Sequence, residues 1–215
     1  MANTETMTIH RALSELKTLD KRIVDKINST TFCRANKRES RAVDGKLIAD
    51  YTNGVMSDYA SIVTLINRRR ALRRAVIQSN AVTMVQVGGK EYSVAEAIEM
   101  KNHGMELFAR LRDEMIDQWQ IETQKIDNEN GEKLTNKADA YIAQTFGSKD
   151  VKGVDVTKAR EEYINSQTFT LIDPFDIKGM IKEFTDTIDS FNANVDAALS
   201  VSNAVTNITF TYDAM

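Results

Sequence analysis

The chain has almost no proline and little glycine, with one proline and nine glycines among 215 residues. Sandwiches and barrels need many turns, so this scarcity argues against them and favours long helices. Cys33 is the single cysteine, which excludes an intramolecular disulfide and indicates a reducing compartment. Because His10 and His103 have no recognisable catalytic context, we expect this thiol to be packed or idle and not a nucleophile.

An excess of charge of one sign is also missing. The chain has 28 Lys and Arg against 31 Asp and Glu, a formal net charge of −3, so nothing attracts the whole protein to nucleic acid or to an anionic membrane. No apolar run approaches the roughly 20 residues of a membrane helix, and MANTETMTIH does not resemble a signal peptide. We therefore expect a cytoplasmic protein with no membrane partner.

Apolar residues recur every three or four positions along several stretches, which predicts amphipathic helices. The first stretch begins directly after Thr8, the predicted N-cap. The longest opens with a capping-box pattern at Ser93 and Glu96, and its heptad stripe requires a partner helix. The last begins at Asp173–Pro174. The predicted helices are residues 9–28, 55–79, 94–146 with an interruption near 127–133, 156–165 and 174–201.

The pentapeptide SNAVT occurs twice, at residues 79–83 and 202–206, each time between a helix-like and a strand-like stretch. Asparagine tolerates the left-handed conformation of a helix C-terminus, which predicts Asn80 and Asn203 as C-caps. The two strands that follow would pair in one small sheet with a hairpin turning at Gly88–Gly89. We favour this structural interpretation; the alternative is that two equivalent Asn/Thr corners line a shared pocket.

These patterns predict a mainly α fold, in which long coiled-coil-like helices carry a small antiparallel β-sheet. The sheet would consist of the Gly-Gly hairpin and the C-terminal strand. We expect a single helical domain over residues 1–215, from which residues 94–146 project as a long helical arm. A glycine-bearing linker is predicted at 147–155, and a β-like segment at 168–172.

The apolar stripes also predict self-association. Those on residues 94–128 and 174–201 are longer than the short helix at 9–28 can cover. We therefore expect a homo-oligomer, either a dimer or another small closed ring.

The most distinctive local signal is NRRRALRR, at residues 67–74, in a stretch without acidic side chains. A guanidinium stays charged and grips a carboxylate or a phosphate with two hydrogen bonds. One interpretation pairs these arginines with the acidic residues of 173–200, and the other gives them a phosphate-bearing ligand. Nucleic acid is not expected, because overall positive charge is missing. The candidate residues are Arg69, Arg70, Arg73 and Arg74.

Catalytic and metal-binding motifs do not appear. VGGK lacks the spacing of a phosphate-binding loop, and no HExxH, paired-cysteine or histidine-rich set points to zinc. No two carboxylates stand out as an acid/base pair, and the methionines and aromatics lie mostly at core spacing. We therefore expect no enzyme, no cofactor and no metal.

Three segments carry a resemblance to known proteins: RALSELKTLDKRI, INRRRALRRAVIQSNAVTMVQVGGKEYSVAEAIEMK and FNANVDAALSVSNAVTNITF. They resemble helical proteins encoded by phages of Gram-positive bacteria and, more distantly, the septicolysin-like bacterial family. The chain departs from the bacterial pattern in the alanines that follow each corner asparagine, Ala81 and Ala204. The resemblance implies a helical fold, a phage origin and self-association, but no reaction. Pore formation is not expected, since no membrane-inserting segment is visible.

The favoured function is a non-enzymatic, homo-oligomeric phage protein that captures a small anionic, nucleotide-type ligand at arginine-lined clefts. Capture of a host immune signal in the host cytoplasm would make it an anti-defence sponge. The alternatives are a virion or assembly scaffold without a ligand and, less favoured, a nucleotide-processing enzyme. The candidate ligand-binding residues are Arg69, Arg70, Arg73, Arg74, Asn80 and Asn203.

Overall fold

A computed structural model describes residues 2–147 and 153–214, and most of them are helical. This confirms the predicted mainly α fold. A π-helical turn, Met100–Gly104, connects the helix that ends at Glu99 to the helix that begins at Met105. Among the described helices, none combines the length and the apolar character that crossing a bilayer requires. The helices are α1 (Ile9–Ser29), α2 (Ile48–Val82), α3 (Val94–Glu99), α4 (Met105–Asn130), α5 (Glu132–Phe146), α6 (Val154–Gln167) and α7 (Ile177–Val205).

Within residues 2–147 and 153–214 the strands form three separate antiparallel pairs, so the predicted single sheet is wrong. The C-terminal strand pairs with residues 2–8, and the two strands of the Gly88–Gly89 hairpin pair with each other and with no other described strand. Residues 2–8 show little apolar alternation that would indicate a strand, because Met7 is the only large apolar side chain there. The pairs are β1 (Ala2–Thr8) with β6 (Asn207–Asp213), β2 (Ala42–Val43) with β3 (Lys46–Leu47), and β4 (Met84–Val87) with β5 (Lys90–Ser93).

The chain divides into two compact units, one of residues 1–102 with 190–215 and the other of residues 103–189. The segment for which we predict a projecting arm, 94–146, contributes to both. The predicted linker lies only partly in the described chain, since residues 148–152 fall outside it.

The core of the first unit forms where α1 and the β1–β6 ribbon pack against α2. Leu19 of α1 and Leu72 of α2 are fully buried. The ribbon has two different faces because strand side chains alternate. Thr6 and Thr209 face outward and share a hydrogen bond of 2.8 Å between their hydroxyls. The buried cluster is Met7, Ile9, Ala12, Leu16, Leu19, Leu72, Val76, Ile208 and Phe210.

In the second unit the predicted helix interruption is confirmed at Gly131, which separates α4 from α5. Tyr141 of α5 stacks on Tyr163 of α6, with ring centroids 4.6 Å apart. The predicted β-like segment at 168–172 forms no strand. The Asn130 side-chain amide accepts from the backbone N–H of Phe169 and donates to its carbonyl, each at 2.8 Å, and so replaces the partner strand at that residue.

The last helix begins later than predicted. The Asp173 carboxylate accepts from the backbone N–H of Phe175 at 3.2 Å and of Ile177 at 2.9 Å, as a capping residue would. Regular helix starts only at Ile177, after Asp176 in the left-handed conformation with φ 53°. Asp173 therefore caps the turn that leads into α7.

Both SNAVT copies lie at helix ends, as predicted, but their asparagines are not left-handed caps. The helices run through Asn80 and Asn203 and end two residues later, and the following threonine is the first residue beyond the helix. Thr83 donates its N–H to the Ser79 carbonyl and Thr206 donates to the Ser202 carbonyl, both at 2.9 Å. The asparagines stay helical because this backbone bond closes the last turn without a positive φ.

The repeat extends well beyond five residues. The Thr83 carbonyl accepts from the first N–H of α3, that of Val94, at 2.8 Å, and the Thr206 carbonyl accepts from the first N–H of α1, that of Ile9, at 2.9 Å. The N-cap of α1 is Thr8, on β1, and the N-cap of α3 is Ser93, on β5. In both cases the strand that carries the N-cap pairs with the strand that follows SNAVT. The helix–strand–strand–helix arrangement α2–β4–β5–α3 therefore recurs as α7–β6–β1–α1.

Burial follows the same repeat. When the two SNAVT copies and the two N-caps are aligned, buried positions of one module coincide with buried positions of the other. The Gly88–Gly89 turn is aligned with the Thr4–Thr211 pair of the other module, where the β1–β6 ribbon continues to Ala2 and Asp213. The matching buried pairs are Ile9 with Val94, Ala12 with Ala97, Leu72 with Val195, Ile208 with Val85, and Phe210 with Val87.

The two hairpin glycines provide a test of how this module packs on α7. Both have positive φ, and a Cβ at Gly88 would lie 2.8 Å from the Ser190 Oγ and 3.3 Å from its backbone carbon, whereas one at Gly89 meets open space. We expect Gly89→Ala to lower the free energy of unfolding by about 1–2 kcal/mol through backbone strain alone. Gly88→Ala should lose about 1–3 kcal/mol more, because the helix must shift. Urea unfolding measures both, and equal losses would contradict this packing.

Candidate functional site

The arginine run lies in the middle of α2, where helical periodicity sends its members in different directions. Arg68 lies on the same side as the buried Leu72 and points toward the core, with 17% of its side chain exposed. Arg69 is half-exposed. The remaining members are exposed: Arg70, Arg73 and Arg74.

Arg68 is the centre of a partly buried polar network. Its Nε and Nη2 donate to the two carboxylate oxygens of Glu5 on β1, each at 2.8 Å. Its Nη1 donates to Glu15 of α1 at 2.7 Å. The Tyr212 hydroxyl, on β6, donates to the same Glu5 carboxylate at 2.8 Å. One guanidinium thus joins a strand and a helix to α2, with a second strand attached through Glu5.

The network shifts the ionisation of its members in consistent directions. The hydrogen bond to Glu5 raises the pKa of the Arg68 guanidinium, and the same bond lowers the pKa of the Glu5 carboxyl. Burial, followed by the hydrogen bond to Glu5, raises the pKa of the Tyr212 hydroxyl. All three shifts favour the state in which Arg68 and Glu5 are charged and Tyr212 keeps its proton.

Arg69 has a carboxylate of its own. Its Nε and Nη2 donate to the two oxygens of Asp20 on α1, with the Nη2 bond at 3.3 Å. The hydrogen bond from Arg69 lowers the pKa of Asp20, and the charge of Arg73 lowers it further. Arg68 and Arg69 therefore pair with carboxylates of β1 and α1. One interpretation of the sequence expected the acidic residues of 173–200 as partners, and for these two arginines it is wrong. Helix α1 lies along α2, and its Glu15 and Asp20 supply carboxylates to these two arginines.

In the described part of the chain, no ion pair involves Arg70, Arg73 or Arg74. With Arg69 they surround a shallow depression of about 320 Å³, completed by Ile77 and Gln78. All of these side chains come from one helix. The predicted arginine-lined cleft is therefore an open face in the single chain, which we call the arginine face (Arg69, Arg70, Arg73 and Arg74).

The corner asparagines do not join the arginine face. Asn80 and Asn203 are half-buried in the last turns of α2 and α7, and neither lines the depression. A separate groove of about 500 Å³ does lie between the two corners, but the residues of the repeat that border it are others. Those residues are Thr83, Ser202, Val205 and Thr206.

The sequence interpretation missed the most strongly held arginine, Arg68, and its partners. The alternation of side chains along β1 and β6 could have indicated these partners. Ile208, Phe210 and Tyr212 share one face of β6, and Glu5 lies opposite Phe210 in the ribbon. Once β1 is known to be a strand, a carboxylate on its inward face requires a cation from the element beneath.

Comparison of the chain with protein-family models, with curated proteins and with solved structures gives no match in any of the three. The resemblance to phage proteins and to the septicolysin-like family stays a prediction. The functional interpretation accordingly depends on the geometry of the chain itself.

The Glu5 pKa predicts a pH dependence of stability. Its folded-state pKa lies below the unfolded value, so its contribution is fully present above the unfolded pKa, about 4.3. That contribution is lost as the pH falls through the lower, folded-state pKa. We expect Glu5→Gln to flatten the loss of stability between about pH 5 and pH 3.

Urea midpoints measured across that range provide the check. The matched control is Glu39→Gln, at an exposed glutamate in the loop between α1 and α2. The control should keep the wild-type pH profile. Parallel profiles for wild type and Glu5→Gln would show that the network does not perturb this carboxyl.

Proposed function

We propose that this protein is a non-enzymatic homo-oligomer that binds a small phosphate-bearing anion at its arginine face. The observation that carries the proposal is the internal repeat, which allows α2 to be compared with α7 at equivalent positions. The sponge role in a phage-infected cell belongs to the same proposal, with a host signal nucleotide as the captured molecule.

Comparing α2 with α7 separates the arginine that the fold requires from the arginines that it does not require. Aligning the SNAVT copies places Phe191, a buried residue, opposite Arg68, so this position packs inward in both modules. The arginine face is aligned with a stretch of α7 that contains no cation. Because the second module packs without a basic face, the fold does not require one. The aligned residues of α7 are Asn192, Ala193, Asp196 and Ala197.

Charge makes the arginine face suitable for an anion. Four guanidinium groups lie within two turns of helix, and Asp20 is the carboxylate that contacts them in the described part of the chain. Exposed like charges this close repel one another unless a counter-ion is bound. Phosphate oxygens accept paired hydrogen bonds from guanidinium forks, so a phosphate ester is the ligand class that this chemistry favours.

Self-association would give the face a second wall. A ligand on one side of a single helix stays largely in water, whereas a closing partner excludes water and strengthens every charged contact. Ile77, with 59% of its surface exposed, borders the depression and would be covered by such a partner. A second copy of the chain is the partner that the apolar stripes of the sequence also predict.

A scaffold without a ligand remains the second candidate, and exposed apolar side chains favour it. Leu107 and Ile121 of α4 are 70% and 63% exposed, and Ile172 and Phe175, before α7, are 91% and 72% exposed. Large apolar groups in such number indicate surfaces that another chain covers. These residues lie on other elements than the arginine face.

Replacement of one arginine tests ligand binding directly. Arg73→Ala should weaken the affinity for nucleoside phosphates by roughly 10- to 100-fold, since each charged hydrogen bond contributes about 1.5–3 kcal/mol. Arg110→Ala is the matched control, because Arg110 is an exposed arginine of α4 without an ion pair in the described residues. Isothermal titration calorimetry measures both variants.

Mass spectrometry of molecules released from the purified protein, together with light scattering, decides between the candidates. An intact nucleotide from an oligomer supports capture. If nothing is released, if no nucleoside phosphate binds and if the oligomer persists, capture is contradicted and the result favours the scaffold. A monomer at micromolar concentration would contradict both.

A further inference from the structure

The arginine face already holds one anion, the carboxylate of Asp20. Both oxygens of that carboxylate accept from Arg69, through Nε and Nη2, which is the paired geometry a phosphate would adopt. The charge of Arg73 also acts on it. Asp20 therefore occupies the edge of the face where two of its arginines meet.

The Asp20 contact is not needed to hold α1 on α2. The pair is exposed, with 52% of the Asp20 side chain accessible, and exposed ion pairs add little to stability. The two helices are joined nearby by Arg68 with Glu15 at 2.7 Å and by the buried side chains around Leu19. Asp20 can thus leave Arg69 without opening the core.

We infer that Asp20 is an internal counter-anion, which a ligand must displace from Arg69 to bind the whole arginine face. This inference rests on the proposed function and refines its ligand class. Without Asp20 the face carries four positive charges, and with it three. An anion with a single charge gains little by exchanging one carboxylate–guanidinium contact for another. A ligand with two or more charges replaces Asp20 and also reaches Arg70, Arg73 and Arg74, so a di- or triphosphate is favoured.

Substitution of Asp20 by asparagine tests the inference, with pyrophosphate and acetate as probes in calorimetry. Asp20→Asn keeps the shape but removes the charge. It should tighten pyrophosphate binding roughly three- to tenfold at low salt, and the gain should shrink as salt screens the face. Acetate should bind neither protein measurably, since it can form only one exposed carboxylate–guanidinium contact, and such a pair contributes little.

A matched control is available in the same pair of helices. Asp58 of α2 pairs with Lys26 of α1 at 3.1 Å in a similarly exposed contact outside the arginine face. Asp58→Asn removes the same charge and should leave pyrophosphate affinity unchanged. Equal tightening in both variants would reduce the effect to net charge and overturn the inference.

The remaining outcomes separate the inference from the proposed function. If wild type binds pyrophosphate and Asp20→Asn binds no tighter, the counter-anion role is wrong and anion binding stands. If only Asp20→Asn binds, Asp20 is a counter-anion, but the wild-type face is not a ligand site. If neither protein binds, both the inference and the proposed function are wrong.

Discussion

The first unit depends on the neutralisation of one partly buried guanidinium. Arg68 comes from α2, its acceptors come from β1 and α1, and Tyr212 of β6 closes the set through Glu5. A charge in this position is costly unless it is paired and fully hydrogen-bonded. The two carboxylates that pair with Arg68 belong to different elements, Glu5 to β1 and Glu15 to α1. If either element moved away, a partly buried charge would lose its partner. The network therefore couples the N-terminal strand, the first helix and the C-terminal strand to α2.

The same pairing determines what is left for function. Along α2, Arg68, Leu72 and Val76 recur every four residues and face the core, which leaves the other arginines on the outer side. Glu5 and Glu15 both pair with Arg68, and in the described residues neither forms an ion pair with an arginine on the outer side of α2. One run of arginines thus divides into a structural member, Arg68, and a set that lies on the outer side of the helix.

Periodic features could be predicted from the sequence. The stripe after Thr8 gave α1 nearly to its last residue, and the capping box at Ser93 is present with both of its hydrogen bonds. Helix α2 begins at Ile48, seven residues before the predicted start at 55. The prediction missed residues 48–54 because they include several polar side chains and a glycine and show no apolar stripe. Apolar periodicity and capping patterns were sufficient for α1 and for the start of α3, because these features depend on residues close together in the sequence.

Long-range pairing could not be predicted in this way. The partner of β6 lies at the other end of the chain, and nothing in the hairpin-like pattern at Gly88–Gly89 indicates that β6 pairs elsewhere. The site shows the same limit. The pattern singled out an arginine run, but the distinction between Arg68 and its neighbours depends on Glu5, a residue brought there by the ribbon.

The most direct test of this division is thermal unfolding of Arg68→Ala and Arg73→Ala, measured without phosphate in the buffer. Arg68→Ala should lower the Tm by roughly 5 °C or more, because Glu5 and Glu15 lose their charged hydrogen bonds. Arg73→Ala should leave the Tm unchanged or raise it, since it removes a repelling charge from an exposed face. Equal decreases in the two variants, or an unchanged Tm for Arg68→Ala, would contradict the separation of one structural arginine from the exposed arginines of α2.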